Sequence, residues 1–332
     1  MSHKKKIIIF GLGSSALRFA ELLLDKYEVY FYAHRLGLKA PEYAQLSQRD
    51  PFPEGKPRLG TYSLNSLSNY YAAIISSPTS THLKYLKACI QANLPVLVDK
   101  PLSDKLTGLK PLLKKAKQQN QLIVIGLNLR FLPIIQHLKH LLSIKALGQI
   151  YHAEFYVGQY LPSWRPNKDY AKTYSANYHQ GGGVALDLIH EIDLAYHFFP
   201  NIKLQPVFNH KVSNLKIDVE DLAIFQTRTK PFVQVKLDYL NQQLTRKYLV
   251  IGEKGTINCD IINQRFSLTK QDGQVTKITA KKYFDTKKTY QTELSEFFAQ
   301  IKLKQQPDLS DRALALDALQ VAIKARKHVP KL

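Results

Sequence analysis

The chain has 332 residues, 45% of them hydrophobic and 22% charged, which at about 100 to 200 residues per domain suggests two domains with real cores. That composition excludes intrinsic disorder, a collagen-type repeat and a disulfide scaffold. Forty-seven Lys and Arg against 26 Asp and Glu leave a net charge of +21, an excess that suits either a nucleic acid or a site built for anionic ligands. Cys89 and Cys259 are far apart and lack a C-x-x-C spacing, so neither a zinc site nor a redox pair is expected, and a reducing cytoplasm fits best. The apolar stretch from Leu186 to Phe199 is interrupted by Asp187, His190, Glu191 and Asp193, so no membrane-spanning helix is expected. The lysines ahead of Ile7 only superficially resemble a signal peptide, because the apolar run ends at Phe10 before two glycines.

Ile7 to Phe10 reads as a short buried strand, and Ser15 to Asp25 as a helix through the spacing of Leu17, Ala20, Leu23 and Leu24. Glu28 to Tyr32 completes a βαβ unit. Gly37 to Gly60 carries Pro41, Pro51, Pro53 and Pro57 and reads as an irregular connection with room for one short helix. Alternation then resumes with a strand at Ala72 to Ser76, a helix at Thr81 to Ala92, a strand at Val96 to Val98, a helix at Lys105 to Asn120 and a strand at Leu122 to Gly126. Such alternation implies a doubly wound parallel sheet of Rossmann type.

After residue 128 the pattern changes. A helix over Pro133 to Ile144 leads to a strand over Gln149 to Gly158, an aromatic-rich segment from Tyr160 to Tyr178, three glycines, and an amphipathic helix running to about Phe199. Six strands follow without intervening helices, at 205–212, 220–228, 232–240, 245–251, 255–260 and 264–269, with Gly252 and Gly255 bracketing a tight turn. Helices over Glu293 to Leu303 and Arg312 to His328 end the chain. The expected fold is therefore an α/β dinucleotide-binding domain at 1–127, followed by an α+β substrate and dimerisation domain at 128–332. The second domain is read as a large, mainly antiparallel open sheet flanked by helices, with the C-terminal helices able to pack back on the first domain.

Gly11-Leu12-Gly13-Ser14-Ser15-Ala16 matches G-x-G-x-x-A directly after a strand and at the opening of a helix. Gly11 allows the tight turn, Gly13 lets the backbone approach a pyrophosphate, Ala16 permits close helix packing, and the helix N–H groups meet the anion. The second strand ends in Ala33-His34-Arg35 rather than in a carboxylate. Arg35, with His34 beside it and Lys39 able to share its role, can bind a 2'-phosphate that Asp or Glu would repel. NADP(H) is thus favoured, with NAD(H) the alternative.

Val98-Asp99-Lys100-Pro101-Leu102 stands at a strand end, where open α/β sheets bind ligands. Together with the glycine turn, with Ser77-Pro78-Thr79-Ser80-Thr81-His82 after the third strand and with GGGVALDLIHEID later in the chain, it resembles the Gfo/Idh/MocA family. These are oxidoreductases like glucose-fructose oxidoreductase and inositol dehydrogenase. The resemblance implies that Lys100 contacts the reacting oxygen and polarises the C–O bond, and that His190 is the acid/base. It places Ser76, Ser77, Pro78, His82, Asp99, Lys100 and Pro101 at the cofactor. Asp187 and Asp193, three residues before and after His190, are expected on one helical face with it, and either can orient the ring. Two departures stand out: Asp187-Leu-Ile-His190 is one residue shorter than the family's Asp-x-x-x-His, and Asp99 replaces the usual Glu before Lys-Pro.

Trp164 can stack on a sugar or base face, Arg165 can pair with a phosphate or carboxylate, and Tyr170 and Tyr174 can hydrogen-bond hydroxyls. Asn128 and Arg130 resemble the family's substrate-facing pair, and Asp193 is grouped with them. The segment also resembles members associated with bacterial surface-glycan sugars. The implied activity is NAD(P)-dependent hydride transfer at a hydroxyl or carbonyl of a sugar or nucleotide sugar, by a cytoplasmic homodimer or homotetramer assembled through the C-terminal sheet. No metal, nucleic acid or membrane partner is expected. A reductase of a non-sugar carbonyl, imine or enone is the alternative within this fold, and a non-catalytic NADP-binding sensor is the alternative outside enzymes.

Overall fold

A computed structural model of the protein describes residues 4–32, 58–60, 64–304 and 309–329. His34, Arg35, Lys39 and all of the 37–60 connection except its last three residues lie outside the described residues. The chain divides into two compact units, Met1–Gly126 with Leu294–Asp308, and Leu127–Glu293 with Leu309–Leu332.

The first unit alternates strand and helix: β1 (Lys6–Phe10), α1 (Ser14–Leu23), β2 (Glu28–Tyr32), β3 (Arg58–Gly60), β4 (Ala72–Ile75), α2 (His82–Gln91), β5 (Val96–Asp99), α3 (Leu109–Gln118) and β6 (Ile123–Gly126). Its sheet has the order β3-β2-β1-β4-β5-β6, and every pair is parallel. Continuous apolar strands are what such a sheet needs, since helices cover both faces. Ile7, Ile8, Ile9 and Phe10 are all fully buried, and each side chain contributes about 1.5–3 kcal/mol by leaving water. Two elements differ from expectation. The connection after β2 ends in a strand, β3, because its last three residues find a free edge beside β2. Helix α3 starts at Leu109 rather than Lys105, because Gly108 takes a left-handed conformation (φ +80°) and the Ser103 hydroxyl bonds the Lys105 backbone as donor and acceptor. Phe298, from the C-terminal stretch that joins this unit, stacks on Tyr27 with ring centroids 4.6 Å apart.

The second unit contains α4 (Pro133–Ser143), β7 (Ile150–Gly158), α5 (Val184–Asp187), α6 (His190–Phe198), β8 (Gln205–His210), β9 (Leu222–Gln226), β10 (Phe232–Asp238), β11 (Thr245–Gly252), β12 (Gly255–Asp260), β13 (Arg265–Lys270), β14 (Val275–Ile278), the first part of α7 (Thr286–Leu303) and α8 (Leu309–Ala325). Eight strands lie in the order β14-β13-β12-β11-β7-β10-β9-β8. All pairs are antiparallel except β7 with β10. Residues alternate between faces as strand geometry requires: Val233, Val235 and Leu237 are buried, while Phe232 and Lys236 are exposed. Helix α6 packs on the inner face against β7 and β10, and α8 packs against α6 and β8.

Three expectations need correction here. Strand β14 extends the sheet beyond the predicted set by pairing with β13. Helix α7 begins at Thr286 instead of Glu293, where the Asp285 carboxylate accepts the Lys287 N–H at 3.1 Å. The single helix expected after the glycines is two helices, separated at Leu188 (φ −103°, ψ 30°).

One buried ion pair fixes α6 to the sheet. Glu191 is fully buried, with Arg246 Nε of β11 at 2.7 Å from Oε1, and the Tyr248 hydroxyl donates to the same oxygen at 3.1 Å. Burial pushes the Glu191 carboxyl up while Arg246 holds it down. Replacing Arg246 with Met leaves a buried charge without its partner and should cost about 3–5 kcal/mol in urea unfolding. A carboxyl raised further in the folded state loses stability as pH climbs above its unfolded value. The deficit should therefore be larger at pH 8 than at pH 5, and equal deficits would show that Arg246 does not neutralise Glu191.

Candidate active site

In the first unit, the carboxyl ends of β1, β4 and β5 lie side by side and present three turns. Gly11 has φ +114°, and a Cβ built there would meet the Ser76 carbonyl oxygen at 2.3 Å. The turn after β1 therefore approaches the end of β4 as only glycine permits. Gly13 has a different reason: a Cβ built there meets nothing within 4 Å. Gly13 is the N-cap of α1 and no side chain caps the helix, so open space lies before amides that still need an acceptor. Ser14 is exposed and Ser15 half-buried at this opening, while Ala16 is packed in the core. This arrangement fits a pyrophosphate.

Asp99 ties the next two turns together. Its Oδ2 accepts the Ser76 hydroxyl at 3.0 Å, and its Oδ1 accepts the Lys100 N–H at 2.9 Å. Lys100 is half-buried beyond it, and Pro101 is buried. Ser77 shares a 2.7 Å hydrogen bond with Thr81, and Pro78 O accepts the Thr81 hydroxyl at 2.8 Å. His82, expected at the cofactor, is buried, with Nδ1 2.8 Å from Pro101 O and Nε2 2.8 Å from Ser77 O. Its ring spans the two strand-end turns and holds them together rather than offering a nitrogen to a ligand.

In the second unit, Asp187 closes α5 and His190 opens α6, both buried. The expectation that they share one helix with Asp193 is thus corrected. Asp187 Oδ2 accepts the hydroxyl of the fully buried Tyr239 at 2.7 Å. Burial, reinforced by Asp187, pushes that phenol well up, so it stays a proton donor. Asp193 is on α6, but Arg130 holds both of its oxygens, from Nε at 2.9 Å and Nη2 at 2.6 Å. That bidentate fork makes Arg130 and Asp193 partners of each other. Beside them, His197 accepts from Lys139 Nζ at 3.2 Å, and burial, with the positive charges of Arg130 and Lys139, pulls its pKa down to about 3.

The remaining residues expected at the substrate are distributed as follows. Asn128 is buried and donates to Thr289 Oγ1 at 2.7 Å. The Trp164 indole N–H is given to Gln159 O and its ring lies edge-on to Tyr239, centroids 5.3 Å apart, so Trp164 braces Tyr239. The Arg165 guanidinium lies 5.4 Å from the Tyr174 ring centroid, and both are half-buried. The Tyr170 hydroxyl accepts the Lys216 N–H at 3.1 Å. Tyr239, Glu220, His197 and Lys139 were not found from sequence, since nothing in their spacing marks them. Among the described residues no group of three or more His, Cys, Asp or Glu is placed to hold a metal ion, and no helix is long and apolar enough to cross a membrane.

The two glycines of the turn should separate cleanly by mutation. Gly13→Asp places a carboxylate in open space at a helix N-terminus, where it stabilises the helix by about 0.3–1 kcal/mol and repels a phosphate. Thermal stability should be retained while NADH affinity, measured by fluorescence, falls at least about 100-fold. Gly11→Ala should instead lower the melting temperature by several degrees, roughly 1–3 kcal/mol. An intact NADH affinity in Gly13→Asp would exclude the α1 N-terminus as the phosphate seat.

Comparison with known proteins agrees with this architecture. Residues 5–127 match the model of an oxidoreductase family with an NAD-binding Rossmann fold, and residues 135–258 match the Gfo/Idh/MocA C-terminal domain. An oxidoreductase of Formosa agariphila is 29% identical over 215 residues, 62% of this chain and 64% of that protein, so the match spans just under two thirds of that relative. A myo-inositol 2-dehydrogenase of Thermotoga maritima is 24% identical over 284 residues, 79% of this chain and 81% of the relative. The solved UDP-N-acetylglucosamine 3-dehydrogenase of Acidithiobacillus ferrooxidans shares the fold, with a TM-score of 0.69 and 18% identity over 97% of this chain and 98% of that one. With both of the family's domains matched in order along the fold described above, the chain is a member of the Gfo/Idh/MocA family, an oxidoreductase with an NAD-binding Rossmann domain.

Proposed function

We propose that this oxidoreductase transfers a hydride between NADP(H) and a hydroxyl or carbonyl carbon of a sugar or sugar derivative, with Lys100 and His190 as its catalytic residues. The observation that carries the reading is the adjacency of three turns at the carboxyl end of the first sheet. The Gly11 turn, Ser76–Pro78 and Lys100 end neighbouring strands, and Asp99 bonds to both of the latter two. A lysine beside a dinucleotide seat can polarise a C–O bond and stabilise alkoxide-like charge in the transition state. A bound nicotinamide would supply or accept the hydride. His190 takes the hydroxyl proton in the oxidative direction and returns it in the reductive one. Asp187, locked by Tyr239, is the better candidate for orienting His190, because Asp193 is engaged on both oxygens by Arg130.

The NADP preference rests on the sequence after Tyr32, where Ala33-His34-Arg35 stands in place of a carboxylate. Sugar-type substrates are supported by the inositol and UDP-sugar dehydrogenases among the relatives, and by Arg165 and Tyr174 on the segment before the glycines. Division at residues 127 and 128 into a cofactor domain and a substrate domain, assembly as a homodimer or homotetramer through the open sheet, and a cytoplasmic setting belong to the same proposal.

Turnover should be sought by following NADPH and NADH absorbance across a panel of polyols, sugars and nucleotide sugars. Lys100→Ala and His190→Ala should each lower kcat/KM by a factor on the order of 10² to 10⁴, with cofactor affinity retained. Normal turnover by either variant removes that residue's role. Tighter binding of NADH than NADPH, unaffected by Arg35→Ala, removes the NADP preference.

A further inference from the structure

The last described residues of the chain lie against the glycine turn that launches α5. Arg326 donates from Nε to Gly182 O at 3.0 Å and from its terminal nitrogen to Tyr178 O. Its guanidinium carbon lies 4.0 Å from the Tyr178 ring centroid. Val219 and His328 form an antiparallel bridge, Val329 N–H donates to Asp218 O at 3.0 Å, and the His328 ring meets that of Tyr178 at 5.2 Å.

Glu220 joins these contacts. It is fully buried; its Oε2 accepts the Lys327 N–H at 3.2 Å and its Oε1 accepts the Ala185 N–H at 3.2 Å. Gly183, at φ +118°, leaves room for this carboxylate, since a Cβ there would sit 2.5 Å from Oε1. One side chain thus binds the C-terminal segment through one oxygen and the first turn of α5 through the other.

We propose that Glu220 and Arg326 are positioning residues that latch the C-terminal segment 326–329 onto the glycine turn, and so fix the helices carrying Asp187 and His190. The catalytic consequence rests on the acid/base reading of His190; the latch itself does not. The latch is also sensitive to protons. Burial pushes the Glu220 carboxyl up to about 7, opposed by the backbone N–H groups of Glu220, Lys327 and Ala185 and by Arg326. The Tyr239 phenol, just after β10 and hydrogen-bonded to Asp187, also bears on it, and Asp218 and Asp221 flank it on its own segment. When the segment opens, water returns the carboxyl toward its ordinary value of about 4.3. The closed form therefore holds the proton more tightly, and ionisation favours opening. The latch eases as pH rises from about 4.3 toward 7 and is constant above that.

Hydrogen exchange on the full chain between pH 5 and 8, corrected for intrinsic rates, reads this directly. Protection of the Ala185, Lys327 and Val329 amides should fall by up to about tenfold per pH unit below pH 7 and then level. Glu220→Gln should lose that pH dependence. Arg326→Met keeps Glu220 but removes the bonds to Gly182 and Tyr178. It should lower protection at every pH, and lower kcat on the order of tenfold with NADPH affinity retained. Protection independent of pH in the unmodified protein, or an unchanged slope in Glu220→Gln, overturns the latch. Unchanged kcat in Arg326→Met overturns its positioning role. Loss of the acid/base reading would show separately, as normal turnover in His190→Ala, and would leave the exchange result standing.

Discussion

Helix α6 is buried along its whole length, His190 to Phe198, and it takes carboxylates with it. That burial constrains everything around it, because a charge removed from water must find a partner of matching geometry or give up its charge. Glu191 is met by Arg246 and Tyr248 from β11, and Asp193 by the fork of Arg130. Asp187, just before the helix, is met by Tyr239 from the end of β10. His197 is kept neutral by burial and by its cationic neighbours. The partners come from separate elements, so the helix is held in place from several directions by directional bonds as well as by packing. The break at Leu188 lies between Asp187 and Glu191, which are bound to different strands.

The first unit solves a different problem with fewer charges. Its sheet edge must offer exposed turns close together, and backbone is brought near backbone where a side chain would intrude. Gly11 over Ser76 is one such contact. Asp99 then cross-links two turns, and the buried His82 ring spans the same two. The short carboxylate of Asp99 reaches both the Ser76 hydroxyl and the Lys100 amide, and so links the ends of β4 and β5. A buried imidazole and a half-buried aspartate thus set the backbone at Lys100.

Much of this architecture was legible in the sequence. The strands of the first unit are continuous apolar runs, and Gly11 to Ala16 carries its reason in its residue types. Consecutive strands after residue 205, with no helices between them, announced the mainly antiparallel sheet. What was missed depends on partners distant in the chain. Strand β3 has only three residues, and β14 is exposed over Val275–Lys277; each exists because a neighbouring edge was free. Trp164 read as a stacking surface, yet its ring is committed to Tyr239. Asp193 read as a partner for His190 by helical spacing, and spacing could not disclose Arg130 on the other side. Glu220 gave no signal at all, since the groups its carboxylate joins lie 35 and 107 residues away.

The one parallel pair in the second sheet carries a consequence for how that unit is made. His152 on β7 pairs with Phe232 on β10, 80 residues further along, and the intervening chain contains α5, α6, β8 and β9. Parallel neighbours require a crossover, unlike strands that follow one another through short turns, such as β11 and β12. The β7–β10 ladder therefore cannot zip from a local turn, and its closure entropy must be met by contacts made within the crossover itself. High contact order of this kind slows folding. Helix α6, which carries His190, is part of that crossover, so the central β7–β10 ladder closes around the helix packed against it.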